Sequence, residues 1–280
     1  MIVKTACFKA VTSIFAGAML FVSLSTQAAD RTKLDGRFIQ GGMVIGQTEK
    51  GAKVTFQDHE LLLSDEGQFV FGFHRDAPES QNLTITYTDG SSETIPIAIE
   101  QREYNVQRID GLPSKQVSPP EEIMVRIRDD NRQIGEARAN ITDEDWYLED
   151  FIWPSVGPIS GIYGSQRILN GQPRQPHYGI DIALPTGSPV VAPASGIIRL
   201  VHDDMYFSGG TLFLDHGAGL MSAFLHLSKI HVKEGQFVKQ GELIADIGAT
   251  GRVTGAHLDW RINWFENRID PALLVPPMPK

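Results

Sequence analysis

The 280-residue sequence predicts a mainly β protein with a small N-terminal β-sandwich, a linking amphipathic helix and a C-terminal antiparallel β domain. Three observations predict it. Short stretches alternating apolar and polar residues recur over the first third of the chain. A single helical periodicity follows, and from about Gly157 the chain turns to short Gly-, Val- and Ile-rich runs. A hydrophobic content of 41% is ordinary for a chain with a buried core and argues against wholesale disorder.

The first element is a leader. Lys4 and Lys9 precede an apolar run from Ala10 to Leu24 and a small, polar Ser25-Thr26-Gln27-Ala28 stretch. This is the pattern of a signal peptide over residues 1–28, cleaved after Ala28. An uncleaved membrane anchor is the other reading, but the run is shorter than the ~20 residues a spanning helix needs. Cys7, the only cysteine, lies ahead of the run and not just after it, where a lipid-attachment cysteine would stand. Without it the mature chain has no disulfide, and any metal site must use nitrogen and oxygen ligands. Loss of Lys4 and Lys9 takes the formal charge from −9 to −11, which argues against a nucleic-acid backbone as partner.

Strand-like stretches then follow at Arg37–Gln40, Lys53–Phe56, Gln68–Phe73, Leu83–Tyr87 and Glu93–Ile99, separated by turn signals such as Lys50-Gly51, Asp65-Glu66-Gly67 and Asp89-Gly90. They predict an accessory β-sandwich over residues 30–115, serving either as a wall- or protein-binding module or as a spacer. Pro119-Pro120 ends it. Residues 119–156 read as a helical linker and aromatic segment. From Glu121 to about Asn140, Ile123, Met124, Val125, Ile127 and Ile134 recur among charged residues, with acids in the first turn where the helix dipole favours them. Trp146, Tyr147, Phe151 and Trp153 predict chain draped over the next domain, beside a substrate groove.

The remaining domain, residues 157–275, carries the chemistry. His177-Tyr178-Gly179-Ile180-Asp181 is answered about eighty residues later by His257-Leu258-Asp259, with His226 between them. Polar groups two or four positions apart point the same way on extended backbone, so three imidazoles and two carboxylates can converge on one side of a sheet as a zinc site. The stretch Val232–Ile244 has glycines six apart, Gly235 and Gly241, each closing a turn between short strands. Biotinyl and lipoyl carriers use similar turns, but neither Lys233 nor Lys239 has the setting of an acceptor lysine. His59 and His74 read as surface or sandwich residues, and His202, His216 and His231 as structural hydrogen-bonding groups. Tyr178 and Arg174 either line a groove or pack.

From about Ser160 to Asp270 the chain resembles the catalytic domain of the lysostaphin-type (LytM-like) zinc endopeptidases, which cut peptidoglycan cross-bridges. The resemblance runs through Gly161-Ile162-Tyr163-Gly164, Arg174 to Ala183, Gly187-Ser188-Pro189-Val190 with Ala192 and Gly196, Phe224 to Ser228, the paired glycines and Thr250 to Leu258. It implies that His177 and Asp181 bind zinc and that His226 and His257 flank the attacking water as catalytic groups. The family's third ligand is a second histidine, and here Asp259 stands in its place. A carboxylate is a good zinc ligand, and its oxygen lies two bonds beyond Cβ, as imidazole Nδ1 does. A ligand set of His177, Asp181 and Asp259 would make the centre formally neutral instead of +1, with a less acidic water.

The resemblance thus implies a zinc-dependent endopeptidase acting on the stem peptides and cross-links of peptidoglycan, exported to the periplasm of a Gram-negative cell with no stable membrane anchor. The alternative, prompted by Asp259, is a non-catalytic wall-binding protein or an activator of another wall hydrolase.

Overall fold

Alternation along the first hundred residues builds two small antiparallel sheets. The computed structural model describes residues 31–109, 121–169 and 171–279, so the predicted signal peptide, with Cys7, and the Pro119-Pro120 break lie outside the described residues. One sheet orders the strands Lys33–Gly36, Met43–Gln47 and Gln68–Gly72; the other orders His59–Glu60, Lys53–Phe56, Ser80–Thr86 and Ser92–Ala98. In Lys53–Phe56 the pattern is strict, Val54 and Phe56 buried and Lys53 and Thr55 exposed, as one-sided burial of a pleated strand requires. Phe56, Phe69, Phe71 and Phe73 then form a fully buried aromatic cluster, with Phe56 and Phe71 centroids 4.6 Å apart.

The predicted strand Arg37–Gln40 is not one. Arg37 N–H donates across a turn to Met43 O, and only Ile39 bridges, to Glu100. The strand forms instead at Met43–Gln47, where Gly46 lowers strand propensity but is required. A Cβ there would lie 2.0 Å from the Phe69 ring.

The helix runs from Glu121 to Arg138, with Arg138 in its last turn and Asn140 Nδ2 donating to Glu136 O at 2.8 Å to satisfy an end carbonyl. Its stripe is narrower than predicted. Ile127 is buried and Ile134 and Ala137 pack on Leu200, Met205, Phe213, Met221 and Ala223, while Val125 is 62% exposed. Asp130 accepts from Tyr206 N–H and Arg126 pairs with Asp204, holding the helix to the strand pair Gly196–Met205 and Gly209–Asp215.

Ten strands make the large sheet. Its path is Phe237–Val238, Gly196–Met205, Gly209–Asp215, Leu220–Ile230, Leu258–Trp264, Gly179–Ile182 and Ile159–Gly161; Pro189–Val191, Leu243–Ile247 and Asn267–Ile269 add to it. Trp260, Ile262 and Trp264 alternate onto the core face, all fully buried. Trp264 meets Phe56, centroids 5.9 Å apart, so the small sheets and the large one share a continuous core. The residues from Thr32 on form one compact unit. A third contact is parallel: Val106–Ile109 pairs with Gln166–Leu169, which in turn pairs with Gln172–Pro173. The aromatic segment packs on the core side, away from the predicted groove. Trp153 lies edge-on to Trp260, and Tyr147 and Phe151 are buried. Their apolar surface belongs on the apolar face, which overrides the expectation of a groove wall.

His216 has a structural role. It is fully buried, Nδ1 donates to Ser195 O and Nε2 accepts from Ser222 Oγ, each at 2.8 Å. Burial pulls its pKa down to about 4, against the Ser195 carbonyl and Asp215. The unfolded chain therefore binds a proton that the folded one refuses, so this contribution to stability is complete above the unfolded pKa near 6.5 and is lost as pH falls toward about 4. Urea unfolding should find about 2 kcal/mol less stability at about pH 5 than at about pH 7 from this group, and His216→Gln should flatten that dependence.

Candidate metal centre

The register of one strand pair sets the centre. Gly179–Ile182 runs antiparallel to Leu258–Trp264 with Asp181 opposite Asp259, so the two carboxylates stand side by side on the face opposite Trp260. His177, four residues before Asp181, brings Nε2 to 3.0 Å from Asp181 Oδ1 and 3.6 Å from Asp259 Oδ1. One ligand-type atom from each of the three lies within 4.8 Å of the others. His177 Nδ1 faces Ile162 O at 3.2 Å and so carries a proton, which leaves Nε2 as the ring atom toward the carboxylates.

Glycine makes the room. A Cβ at Gly161 would lie 2.1 Å from Asp181 Oδ2, and one at Gly179 would lie 2.5 Å from Asp259 Oδ1. Neither position is strained in φ; each is small because a carboxylate occupies the space a side chain would take.

His257 and His226 flank this set. His257 Nδ1 is 2.9 Å from Gly255 O and its Nε2 is 3.8 Å from Asp181 Oδ1. His226 Nδ1 donates to Thr250 O at 2.9 Å, and the two imidazole centroids are 4.8 Å apart. His226 has φ +65°, a left-handed conformation that costs a side-chain-bearing residue roughly 1–2 kcal/mol. Its N–H donates to Ser208 O, and the pairing of Leu220–Ile230 with its neighbours slips just beyond it. This local break in alternation turns the ring toward His257. All five residues singled out in the sequence thus converge. Of the other histidines, His59 stacks on Phe265 and His231 pairs with Asp246, both away from the centre.

Two electrostatic facts bear on metal binding. Burial opposes charge on His177, but Asp181 and Asp259 outweigh it and lift its pKa to about 10. Burial likewise opposes charge on Asp259, yet Arg261 and His177 hold its carboxyl well below the usual range. A ring surrounded by negative charge takes up a proton when no stronger cation competes. His177 Nε2 and Asp181 Oδ1 are buried and face each other at 3.0 Å, with no well-directed hydrogen bond to any other group. Nitrogen and oxygen atoms gathered this closely suit a borderline divalent cation such as zinc.

Arg261 was not foreseen. Its Nε lies 3.0 Å from Asp259 Oδ1 and its Nη2 2.6 Å from Oδ2. Position two beyond Asp259 on a strand was the available signal, since i and i+2 share a face.

Residues 175–271 match the family model for peptidase family M23. Over a longer span, the chain is 27% identical to a solved structure from Pseudomonas aeruginosa assigned to peptidase M23, with a TM-score of 0.66, covering 85% of this chain and 95% of that one. It is 31% identical to the catalytic domain of lysostaphin from Staphylococcus simulans, covering 41% of this chain and 90% of that one, with a TM-score of 0.38. Residues 175–271 form a peptidase family M23 domain. Among curated relatives, the chain is 44% identical over 87 residues to the peptidoglycan DD-endopeptidase ShyB of Vibrio cholerae. That match takes in 31% of this chain and 20% of the relative. The chain thus spans about a fifth of the length of that relative.

Crowding at Asp181 gives a direct test. Gly161→Ala should displace the carboxylate and weaken zinc binding about tenfold or more while the protein stays folded, as measured by competition with a chromophoric chelator.

Proposed function

We propose that the protein is a zinc-dependent endopeptidase that hydrolyses peptide cross-links of bacterial peptidoglycan, with His177, Asp181 and Asp259 as metal ligands and His226 and His257 as catalytic groups. The observation that carries this reading is the buried cluster of His177 Nε2, Asp181 Oδ1 and Asp259 Oδ1 beside two imidazoles in an M23 domain. When bound, zinc supplies Lewis-acid polarisation of the scissile carbonyl and lowers the pKa of water.

The protein's own groups do the rest. Thr250 O and Gly255 O fix the two Nδ1 protons, so both Nε2 atoms are available to the reacting groups. Burial holds the pKa of His226 below its ordinary value, against the Thr250 carbonyl, so the ring is a neutral base near pH 7. His226 accepts a proton at Nε2 and passes it to the leaving amine, and His257, acting as imidazolium, stabilises the developing oxyanion. No serine or cysteine nucleophile is required, so chelators inhibit and serine-directed reagents do not. The predicted signal over residues 1–28 supports export to the periplasm, where the cross-linked wall is the substrate. Residues 30–115 are proposed as an accessory module, residues 119–156 as a linker and residues 157–275 as the catalytic domain.

One observation favours the rival, a non-catalytic wall-binding protein or activator of another hydrolase: Arg261 already occupies both oxygens of Asp259. Zinc stoichiometry of the purified protein, run with cleavage of isolated sacculi, decides between them. One zinc per chain, lost with cleavage in Asp181→Ala, is expected. Zinc-free protein that leaves sacculi intact after reconstitution would establish the rival. His226→Ala and His257→Ala should retain zinc yet lose cleavage by about 10²-fold or more, whereas the rival expects wild-type behaviour of both.

A further inference from the structure

Arg261 alters the electrostatics expected of this centre. A bare set of one imidazole and two carboxylates would cancel the charge of zinc. The guanidinium is not a distant neighbour, however; it grips Asp259 with Nε 3.0 Å from Oδ1 and Nη2 2.6 Å from Oδ2. Such a fork-on-fork pair is the strongest geometry available to a carboxylate. Asp259 is 3% exposed and the Arg261 side chain 31%, so water screens the pair from the guanidinium side only.

The fork also leaves the ligand function intact. A carboxylate oxygen has two lone pairs, and Asp259 Oδ1 faces Arg261 Nε and, at 3.6 Å, the side of His177 Nε2. One lone pair can bond the guanidinium while the other faces the metal position. Asp181, by contrast, meets no guanidinium; its Oδ1 faces His177 Nε2 at 3.0 Å and His257 Nε2 at 3.8 Å. The two carboxylates are therefore not equivalent: one is held by a guanidinium, the other faces imidazoles.

Accessible space on the sheet agrees. Arg261 is opposite Gly179 on one side and Ala223 on the other. Two small residues leave the guanidinium lying along the sheet, reaching back to Asp259 two residues before it. The other charges nearby do not take its place: Arg268 donates to Asn263 Oδ1 at 2.8 Å, and Arg138 lies over the Phe213 ring.

We propose that Asp259 and Arg261 act as one unit that replaces a neutral imidazole ligand, with Arg261 a positioning residue that orients the ligating carboxylate and cancels its charge. This rests on the reading of the site as a zinc centre. Zinc with His177, Asp181, Asp259 and Arg261 then sums to a formal +1, as it does with two imidazoles and one carboxylate. The expectation of a neutral centre with a less acidic water is withdrawn accordingly.

Four forms of the full chain test it: the parent, Arg261→Gln, Asp259→His and Asp259→His/Arg261→Gln. Zinc affinity is read by chelator competition, folding by thermal unfolding of the metal-free forms, and ligand geometry by the visible spectrum after cobalt(II) substitution. In the parent background, Arg261→Gln should weaken zinc about tenfold, because the carboxylate loses its orienting partner. In the Asp259→His background the same change should strengthen zinc about tenfold, because the guanidinium there is an unpaired cation beside the metal. The double variant should return to within about threefold of the parent, with a cobalt spectrum of the same coordination number. Opposite signs in the two backgrounds support the inference. Equal or absent effects overturn it while leaving the zinc reading in place. A parent that binds no zinc overturns both. Should Arg261→Gln fail to fold, Arg261→Met, which likewise removes both the charge and the fork, takes its place and must show the same reversal of sign.

Discussion

The pairing of Gly179–Ile182 with Leu258–Trp264 is the constraint on which the site depends. A strand has a period of two, so its register decides which residues share a face. A slip of one residue would send Asp259 to the core and Trp260 to the site, burying a carboxylate among aromatic rings. The register is held from the apolar side by Ile180, Ile182, Trp260, Ile262 and Trp264, all at most 3% exposed. The chemistry on one face is thus fixed by packing on the other. His226 is the exception that completes the arrangement, because it reaches the site by leaving strand geometry rather than by obeying it.

The same face is shared with the helix Glu121–Arg138. Ala223 and Met221, on which Ala137 and Ile134 pack, lie directly opposite Arg261 and Asn263. One surface of the sheet therefore serves two purposes, with an apolar stretch closed by the helix and a polar stretch bearing the five histidine and aspartate side chains. The boundary between the two falls at Arg261. Its aliphatic stem borders the packed region and its guanidinium the polar one, which suits a side chain that is apolar along its length and charged at its end.

Much of this was legible in the sequence, for physical reasons that differ by element. The five ligand-type residues were readable because their spacing, two or four apart, has one meaning on extended backbone, and the ordered motifs around them carried the family. The helix was readable from its period and first-turn acids. What escaped notice was long-range. Met43–Gln47 carries a glycine that looks like a strand breaker until Phe69 is seen above it. The direction of the aromatic segment depended on which sheet face was apolar, which no local pattern states. Arg261 looked like an ordinary strand residue, since its importance comes from a partner that was itself read only as a substitute ligand. The left-handed turn at His226 has no signature in a histidine's own identity.

The parallel pairing of Val106–Ile109 with Gln166–Leu169 has a practical meaning for how this protein can be divided. The family match opens at residue 175, downstream of that pairing, and Trp264 inside the match rests on Phe56 far outside it. The recognisable peptidase segment is therefore not a self-sufficient folding unit. Excised at its sequence borders, it would expose indole surface of Trp264 that Phe56 now covers and would lose Ile159–Gly161, the strand beside Gly179–Ile182, so what is inherited is the whole body of the chain rather than a portable cassette.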